Sequence, residues 1–540
     1  MRRALGGVET MLKKVRSLGL ACLCIPLIST AAMAAKTLVY CSEASPDGFD
    51  AARNFSGPTF DASAWNISDK LVNVDIGTTN TIPGLATGWD ISKDGKEYTF
   101  HLRRGVKFHT TAYFKPSRDF NADDVLFTFE RQSNKDHPLY GDGMWPQYSA
   151  YGFDKLLQRL EKLDDYTVRF VLSEPNAVFI PSLSLTFTAI QSKEYADQLA
   201  AQNNPDGLMQ KPIGTGAFQF VGYQRDMAIR YRANPDYWGG KQKIDNLVFS
   251  ITPDPSVRYQ KLLRGECDVI AYPNPADVER MRSNPSVTLL QKDSLNIAYA
   301  AYNTTRPPFD DPRVRHAINM AINKRAIIDA VFLGAAIPAR SAMPPSVPGY
   351  RTDLAYDDYN PEKAKKLLAE AGVTNLAMKI WAMPVSRPYM PNARRTAELM
   401  QADLAAIGVH AEIISYEWGT YVQRSLEKDR DGFVLLGWTP SIADPDSYLG
   451  TLLGCDAVGA ANHAHWCDSA FDQLITQARP SQNPEARKAL YNKAQEIFTR
   501  EAPWLPISHQ IIDQPVRKRV KNYRIDPFGS HSFLDVDVED

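Results

Sequence analysis

Leu376-Ala377-Met378-Lys379-Ile380-Trp381-Ala382-Met383 runs directly into Pro384-Val385-Ser386-Arg387-Pro388-Tyr389, so an apolar stretch ends on a proline-stiffened loop that carries an arginine and an aromatic. The stretch has the content of a strand. Downstream, Ala397, Met400, Leu404 and Ile407 recur at helical spacing within residues 392–407, and Gly408 is placed to stop that helix. Val409, Ala411 and Ile413 then alternate with His410 and Glu412 as in a half-buried strand, and residues 432–437 form an apolar run suited to a buried parallel strand. The spacing therefore predicts strand, helix, strand, helix, strand. In open α/β sheets ligands sit beyond the carboxyl ends of strands. Arg387 follows one such end and Gly437-Trp438-Thr439-Pro440-Ser441 follows another, so two loops are expected to converge on one cleft. With its rigid fork of donors, Arg387 reads as a carboxylate clamp. Tyr389 and Trp438 read as walls with polar tips. A surface arginine beside two core aromatics is the alternative.

The N-terminus carries Lys13, Lys14 and Arg16 ahead of an apolar run from Leu18 to Ile28, with Ala32-Met33-Ala34 as a small-residue cleavage site. This is the pattern of an export signal over residues 1–34. Met11 is an alternative start, and Cys22 after Gly19-Leu20-Ala21 only faintly resembles a lipoprotein processing site. No later segment reaches the roughly 18 uninterrupted apolar residues of a membrane span. The mature chain is thus expected to be exported and not membrane-embedded. Loss of residues 1–34 takes five of the 61 Lys/Arg and one of the 62 Asp/Glu, which moves the net charge from −1 to −5. That balance leaves no basic excess to recruit nucleic acid or anionic lipid. A mature chain of about 500 residues calls for two or three structural units.

Four of the six cysteines remain after the leader, an even number in an oxidising compartment. Cys455 and Cys467 are close enough to staple a surface loop, which would leave Cys41 and Cys267 as a long-range tie; three pairings are open from sequence. His463 and His465 lie between the first pair, so a zinc site with the two thiolates is the competing reading, excluded if the sulfurs are oxidised.

Several segments in order resemble the bacterial family 5 extracytoplasmic solute-binding proteins, and within them the dipeptide receptors. They include Lys36-Thr37-Leu38-Val39-Tyr40-Cys41, Tyr98-Thr99-Phe100-His101-Leu102-Arg103-Arg104-Gly105-Val106-Lys107-Phe108-His109 and Asn121-Ala122-Asp123-Asp124-Val125. Pro212-Ile213-Gly214-Thr215-Gly216, Ser250-Ile251-Thr252-Pro253-Asp254, Tyr272-Pro273-Asn274-Pro275-Ala276-Asp277 and the run from Trp381 to Arg395 continue the series. The resemblance implies an α/β, two-lobed periplasmic-binding-protein fold of type II, cluster C, with an extra subdomain in the first lobe. Residues 35–292 and 512–540 would form the first lobe, with the insertion at roughly 76–210, and residues 293–511 the second.

The same resemblance implies a periplasmic, monomeric receptor that captures short peptides and delivers them to an inner-membrane ABC permease, without a cofactor or metal. It assigns the peptide carboxylate to Arg387 and a ligand loop to Ser56, Gly57 and Thr59, with Tyr389, Trp438, Thr439 and Ser441 as pocket residues. Dipeptide receptors carry an ammonium-binding aspartate where this chain has Ser441, which leaves three alternatives: Asp444 or Asp446 as the replacement, a longer ligand whose N-terminus lies elsewhere, or a ligand without a free amine; an exposed Asp-Pro turn is the structural alternative for the two aspartates. The rival within the fold is a receptor for another carboxylate ligand such as glutathione, an opine or haem. An enzyme is not expected: the chain has no Gly-x-Ser-x-Gly elbow and no His-Glu-x-x-His helix, and His109, His316 and His509 are scattered.

Overall fold

The computed structural model describes residues 35–539 except 55 and 142–144. The export signal, Cys22 and the alternative start at Met11 lie outside the described residues.

The alternating pattern after residue 376 folds as its period requires. Ala377–Trp381 is a strand, Ala393–Ala406 a helix, His410–Ile414 a strand, Trp418–Ser425 a helix and Phe433–Trp438 a strand. Asn392 caps the first helix by accepting the Arg395 N–H at 2.9 Å, and Gly408, at φ +79°, turns the chain out of it. Ala377–Trp381 pairs in parallel with both of the other strands and so sits between them. The loops bearing Arg387 and Thr439 consequently leave the same edge of the sheet from adjacent strands.

These strands belong to a 12-stranded sheet whose path passes through one long strand, Trp504–Arg517. Its first part is antiparallel to Ile297–Tyr302, with Ala298 opposite Ser508, and its second part is antiparallel to Val287–Asp293, with Asp293 opposite Ile511. Beyond it the sheet continues through Val269–Ile270, Thr37–Ser42 and Asn246–Ile251. A separate four-stranded antiparallel sheet runs Ala86–Ile91, Glu97–Leu102, Thr167–Leu172, Leu157–Asp164.

The apolar interior follows this division. One core gathers Ile297, Ile380, Met400, Leu435 and Trp504. A second, rich in phenylalanine, gathers Phe100, Phe129, Phe170 and Phe179 around the four-stranded sheet. A third gathers Leu38, Phe249, Val269 and Val516. Burial of this kind, worth roughly 25 cal/mol per Å² of apolar surface, stabilises each of these clusters. Among the described residues no helix is long and apolar enough to cross a membrane.

Both disulfides are formed, Cys41–Cys267 across 226 residues and Cys455–Cys467 across 12. With their sulfurs joined, Cys455 and Cys467 offer no thiolates to a metal between His463 and His465. Replacing Cys41 and Cys267 together by serine is expected to cost about 5 kcal/mol of unfolding free energy, against about 3 kcal/mol for the shorter tie. Urea unfolding of the two variants, followed by circular dichroism, checks this order; equal or reversed costs refute it.

Candidate functional site

A cavity of about 430 Å³ opens where the long strand passes from one half to the other. Its floor includes Asn296 and Gln510, which clasp each other: Asn296 Nδ2 donates to Gln510 Oε1 at 2.9 Å, and the Gln510 N–H donates to Asn296 Oδ1 at 3.0 Å. Arg387 and Thr439 enter from the two loops at the strand ends, so the structure brings these two sequence-derived candidates together.

Arg387 begins a tight turn in which its N–H donates to the Met390 carbonyl at 3.2 Å and the Met390 N–H returns to the Arg387 carbonyl at 2.9 Å. Pro388 fits the second position of such a turn because its φ is already set. The guanidinium lies 4.9 Å from the centre of the Trp418 ring, and no carboxylate is ion-paired with it among the described residues. A half-buried cation on an aromatic face, with no carboxylate paired to it among the described residues, has the chemistry to receive an anion.

Tyr389 stands behind this group and does not line the cavity. Burial raises the pKa of its phenol, opposed by the Arg387 charge and a hydrogen bond to it. The ring rests on Gly437, where a Cβ would come within 2.1 Å of Tyr389 Cδ2, so the glycine is what admits the aromatic. Trp438 is half-buried behind Thr439, with its indole N–H enclosed and unpartnered.

Ser441 faces elsewhere. The Tyr151 hydroxyl donates to Ser441 Oγ at 2.5 Å, and Ile442 packs against the phenylalanine-rich core. Asp444 and Asp446 are each held by an arginine: Arg487 Nη1 and Nη2 donate to Asp444 at 2.6 and 2.8 Å, and Arg479 Nε lies 3.0 and 3.1 Å from the two Asp446 oxygens. Ser56 and Thr59 serve the neighbouring loop, Ser56 Oγ donating to Asp47 Oδ2 at 2.7 Å and Thr59 Oγ1 accepting the Asp47 N–H at 3.0 Å. Gly57 is exposed, with open space where a Cβ would stand. None of Ser56, Gly57, Thr59, Ser441, Asp444 or Asp446 lines the cavity, nor do His109, His316 or His509.

Another wall comes from residues the sequence did not single out. Tyr272, Asp526, Ser530 and His531 line it. Tyr272 holds φ at +36°, an uncommon conformation for a side-chain-bearing residue. Arg258 fixes it, donating to the carbonyls of Thr252, Pro253, Ala271 and Tyr272 at 2.8, 2.7, 2.9 and 3.0 Å. His531 Nδ1 lies 2.8 Å from Asp61 Oδ2; burial lowers the imidazole pKa, but the Asp61 charge and hydrogen bond together with the Glu43 and Asp526 charges outweigh this and raise it. Asp526 accepts from the Phe528 N–H at 3.1 Å and from Ser530 Oγ, and burial pushes its carboxyl up to about 6. The Tyr272-Pro273-Asn274-Pro275 turn was visible as a motif, but nothing local linked it to residues 526–531.

The Asp444–Arg487 pair gives a test of the site's extent. Asn at position 444 leaves a buried guanidinium without its counter-charge and is expected to destabilise the fold by about 3–5 kcal/mol. Ligand affinity of the folded protein should stay within about twofold, since the pair does not face the cavity; thermal unfolding combined with calorimetric titration separates the two effects.

With the fold and cavity in place, comparison with known proteins is informative. Residues 80–460 match the model of the bacterial extracellular solute-binding proteins, family 5. The chain is 47% identical over 532 residues to the dipeptide-binding protein of Escherichia coli K12, covering 98% of this chain and 99% of that one. It is 44% identical over 506 residues to heme-binding protein A of Haemophilus influenzae, covering 93% and 92%. Among solved structures, the dipeptide-binding protein of Pseudoalteromonas sp. SM9913 in complex with Met-Leu superposes with a TM-score of 0.77 at 40% identity, covering 93% of this chain and all of that one. The two-lobed α/β architecture and the near-complete coverage lead to one assignment: the chain belongs to the family 5 bacterial extracellular solute-binding proteins.

Proposed function

We propose that this protein is the substrate-capturing component of an ATP-driven importer for short peptides, di- or tripeptides, which it carries through the periplasm as a monomer to an inner-membrane permease. The observation that carries the reading is Arg387, a guanidinium at the wall of a cavity of about 430 Å³ that is ion-paired with no carboxylate among the described residues. A volume in the range of about 300–1,000 Å³ suits a small molecule, and the arginine supplies paired, charge-assisted hydrogen bonds to a terminal carboxylate. Residues 35–292 with 512–540 form one lobe and residues 293–511 the other, so Arg387 and the wall around Tyr272 and Asp526 stand on different lobes. A ligand that touches both favours the closed form by its differential affinity for it, and that form is what a permease distinguishes from the empty receptor.

Haem is the second reading, favoured by the 44% identity to a haem-binding protein and by the carboxylates that haem and peptides share. Titration of the mature protein, unfolded and refolded to remove carried-over ligand, against di- and tripeptides and against haemin decides between them. Micromolar or tighter peptide binding is expected, with Arg387→Ala weakening it at least 100-fold while the unfolding midpoint stays within a few degrees. Haemin binding without peptide binding overturns the peptide reading, and an Arg387→Ala variant of unchanged affinity overturns the clamp.

A further inference from the structure

We propose that Asp526, with Tyr272 as the adjoining aromatic wall, is the cation-recognising group of the cavity and takes the α-ammonium of the bound peptide. This rests on the peptide reading above and assigns the other end of the ligand. A free peptide is a zwitterion, so a cavity that meets its carboxylate with Arg387 must also compensate an ammonium. The acidic side chains near the second lobe's loops are already committed, Asp444 to Arg487 and Asp446 to Arg479. Two carboxylates line the cavity, Asp513 and Asp526. Asp513 is half-exposed and accepts from Gln291 Nε2 at 2.7 Å, with Arg282 as its nearby cation. Asp526 is 8% exposed and stands in a corner with an excess of negative charge.

That corner contains the carboxylates of Asp526, Asp61 and Glu43, offset by His531 and Arg258. Arg258 spends its donors on four backbone carbonyls and His531 Nδ1 is bound to Asp61, so although the His531 charge lowers the Asp526 pKa, neither group donates a hydrogen bond to the Asp526 carboxylate among the described residues. Lys70, which the Asp526 charge also reaches, is wholly enclosed, is shared with Asp69, and donates to the Ala64 carbonyl at 3.2 Å. The Tyr40 hydroxyl, fully buried and close to Glu43 and Asp61, has no hydrogen-bond partner among the described residues, so the corner carries polar capacity that they leave unmet. Tyr272 is 47% exposed at the cavity, edge-on to His531 with ring centres 5.9 Å apart, and offers a π face to a cation. An ammonium bound here accepts no proton; it displaces one from the Asp526 carboxyl, whose pKa burial has raised to about 6 and which the new positive charge lowers.

Calorimetric titration with a matched pair, a free-amine dipeptide and its N-acetylated form, tests the assignment. Asp526→Asn is expected to weaken the free-amine peptide at least tenfold and to change the acetylated one by less than twofold, with Asp513→Asn neutral towards both. Wild-type protein titrated at pH 6 in buffers of different ionisation enthalpy should release a fraction of a proton with the free-amine peptide and none with the acetylated one, a readout that needs no variant. Asp526→Asn with wild-type affinity for the free amine, equal loss for both peptides, or absence of proton release overturns the proposal while leaving Arg387 and the peptide reading standing. Failure of the wild-type protein to bind any peptide overturns both.

Discussion

A single backbone serves both halves of the molecule. Trp504–Arg517 spans about 45 Å at roughly 3.3 Å per residue, and its hydrogen bonds go to Ile297–Tyr302 at one end and to Val287–Asp293 at the other. The neighbouring segment of the same chain makes the same crossing through Ser294, Leu295 and Asn296, so two adjacent stretches of backbone join the halves. At that crossing the ladder is completed by side chains: Asn296 and Gln510 exchange hydrogen bonds, and His509 Nδ1 lies 2.9 Å from the Asn296 carbonyl. Burial lowers the His509 pKa to about 4, so its ring is neutral near pH 7 and Nδ1 is the donor to that carbonyl. Asn296 and Gln510 also form the floor of the cavity, so the crossing between the halves and the cavity share the same few residues.

Each wall of the cavity has a different electrostatic character, and each is built differently. Arg387 is positioned by local chemistry: three prolines, a tight turn, and the face of Trp418. The opposing charge is assembled from distant segments, with Asp61 near the start of the chain, Arg258 and Tyr272 in the middle, and Asp526 and His531 near the end. A rigid cation and a preformed negative corner keep the reorganisation needed on binding small, which is how a modest cavity gains affinity.

That contrast also explains what could be read from the sequence. The strands and helix from 377 to 414, the stop at Gly408 and the buried strand Phe433–Trp438 follow from periodicity and from one glycine with positive φ, all local properties. Arg387 and Thr439 were legible for the same reason, since strand ends are visible once strands are. Tyr389 and Trp438 were located but not oriented; only the packing of Tyr389 on Gly437 places it behind the cavity wall. Asp444 and Asp446 look like an exposed turn or a free anion because their arginines, 487 and 479, lie more than 30 residues away in sequence. The acidic corner was invisible because no local rule brings residues 61, 272 and 526 together; the order of strands in the sheet does.

The paired aspartates carry the argument about ligand class one step further. If Asp444 and Asp446 were free, the second lobe would present a mixed field around Arg387, and a zwitterion could bind in either direction. With both neutralised in place by Arg487 and Arg479, that lobe offers only the Arg387 cation to the cavity. The first lobe offers the net negative corner around Asp526 and Asp61. A carboxylate set against that corner would meet like charge in a poorly solvated place, which costs several kcal/mol, so the cavity orients its ligand by repulsion as much as by attraction. A peptide with free termini satisfies both walls at once. A ligand with two carboxylates, haem among them, would meet Arg387 with one and have to hold the other away from Asp526.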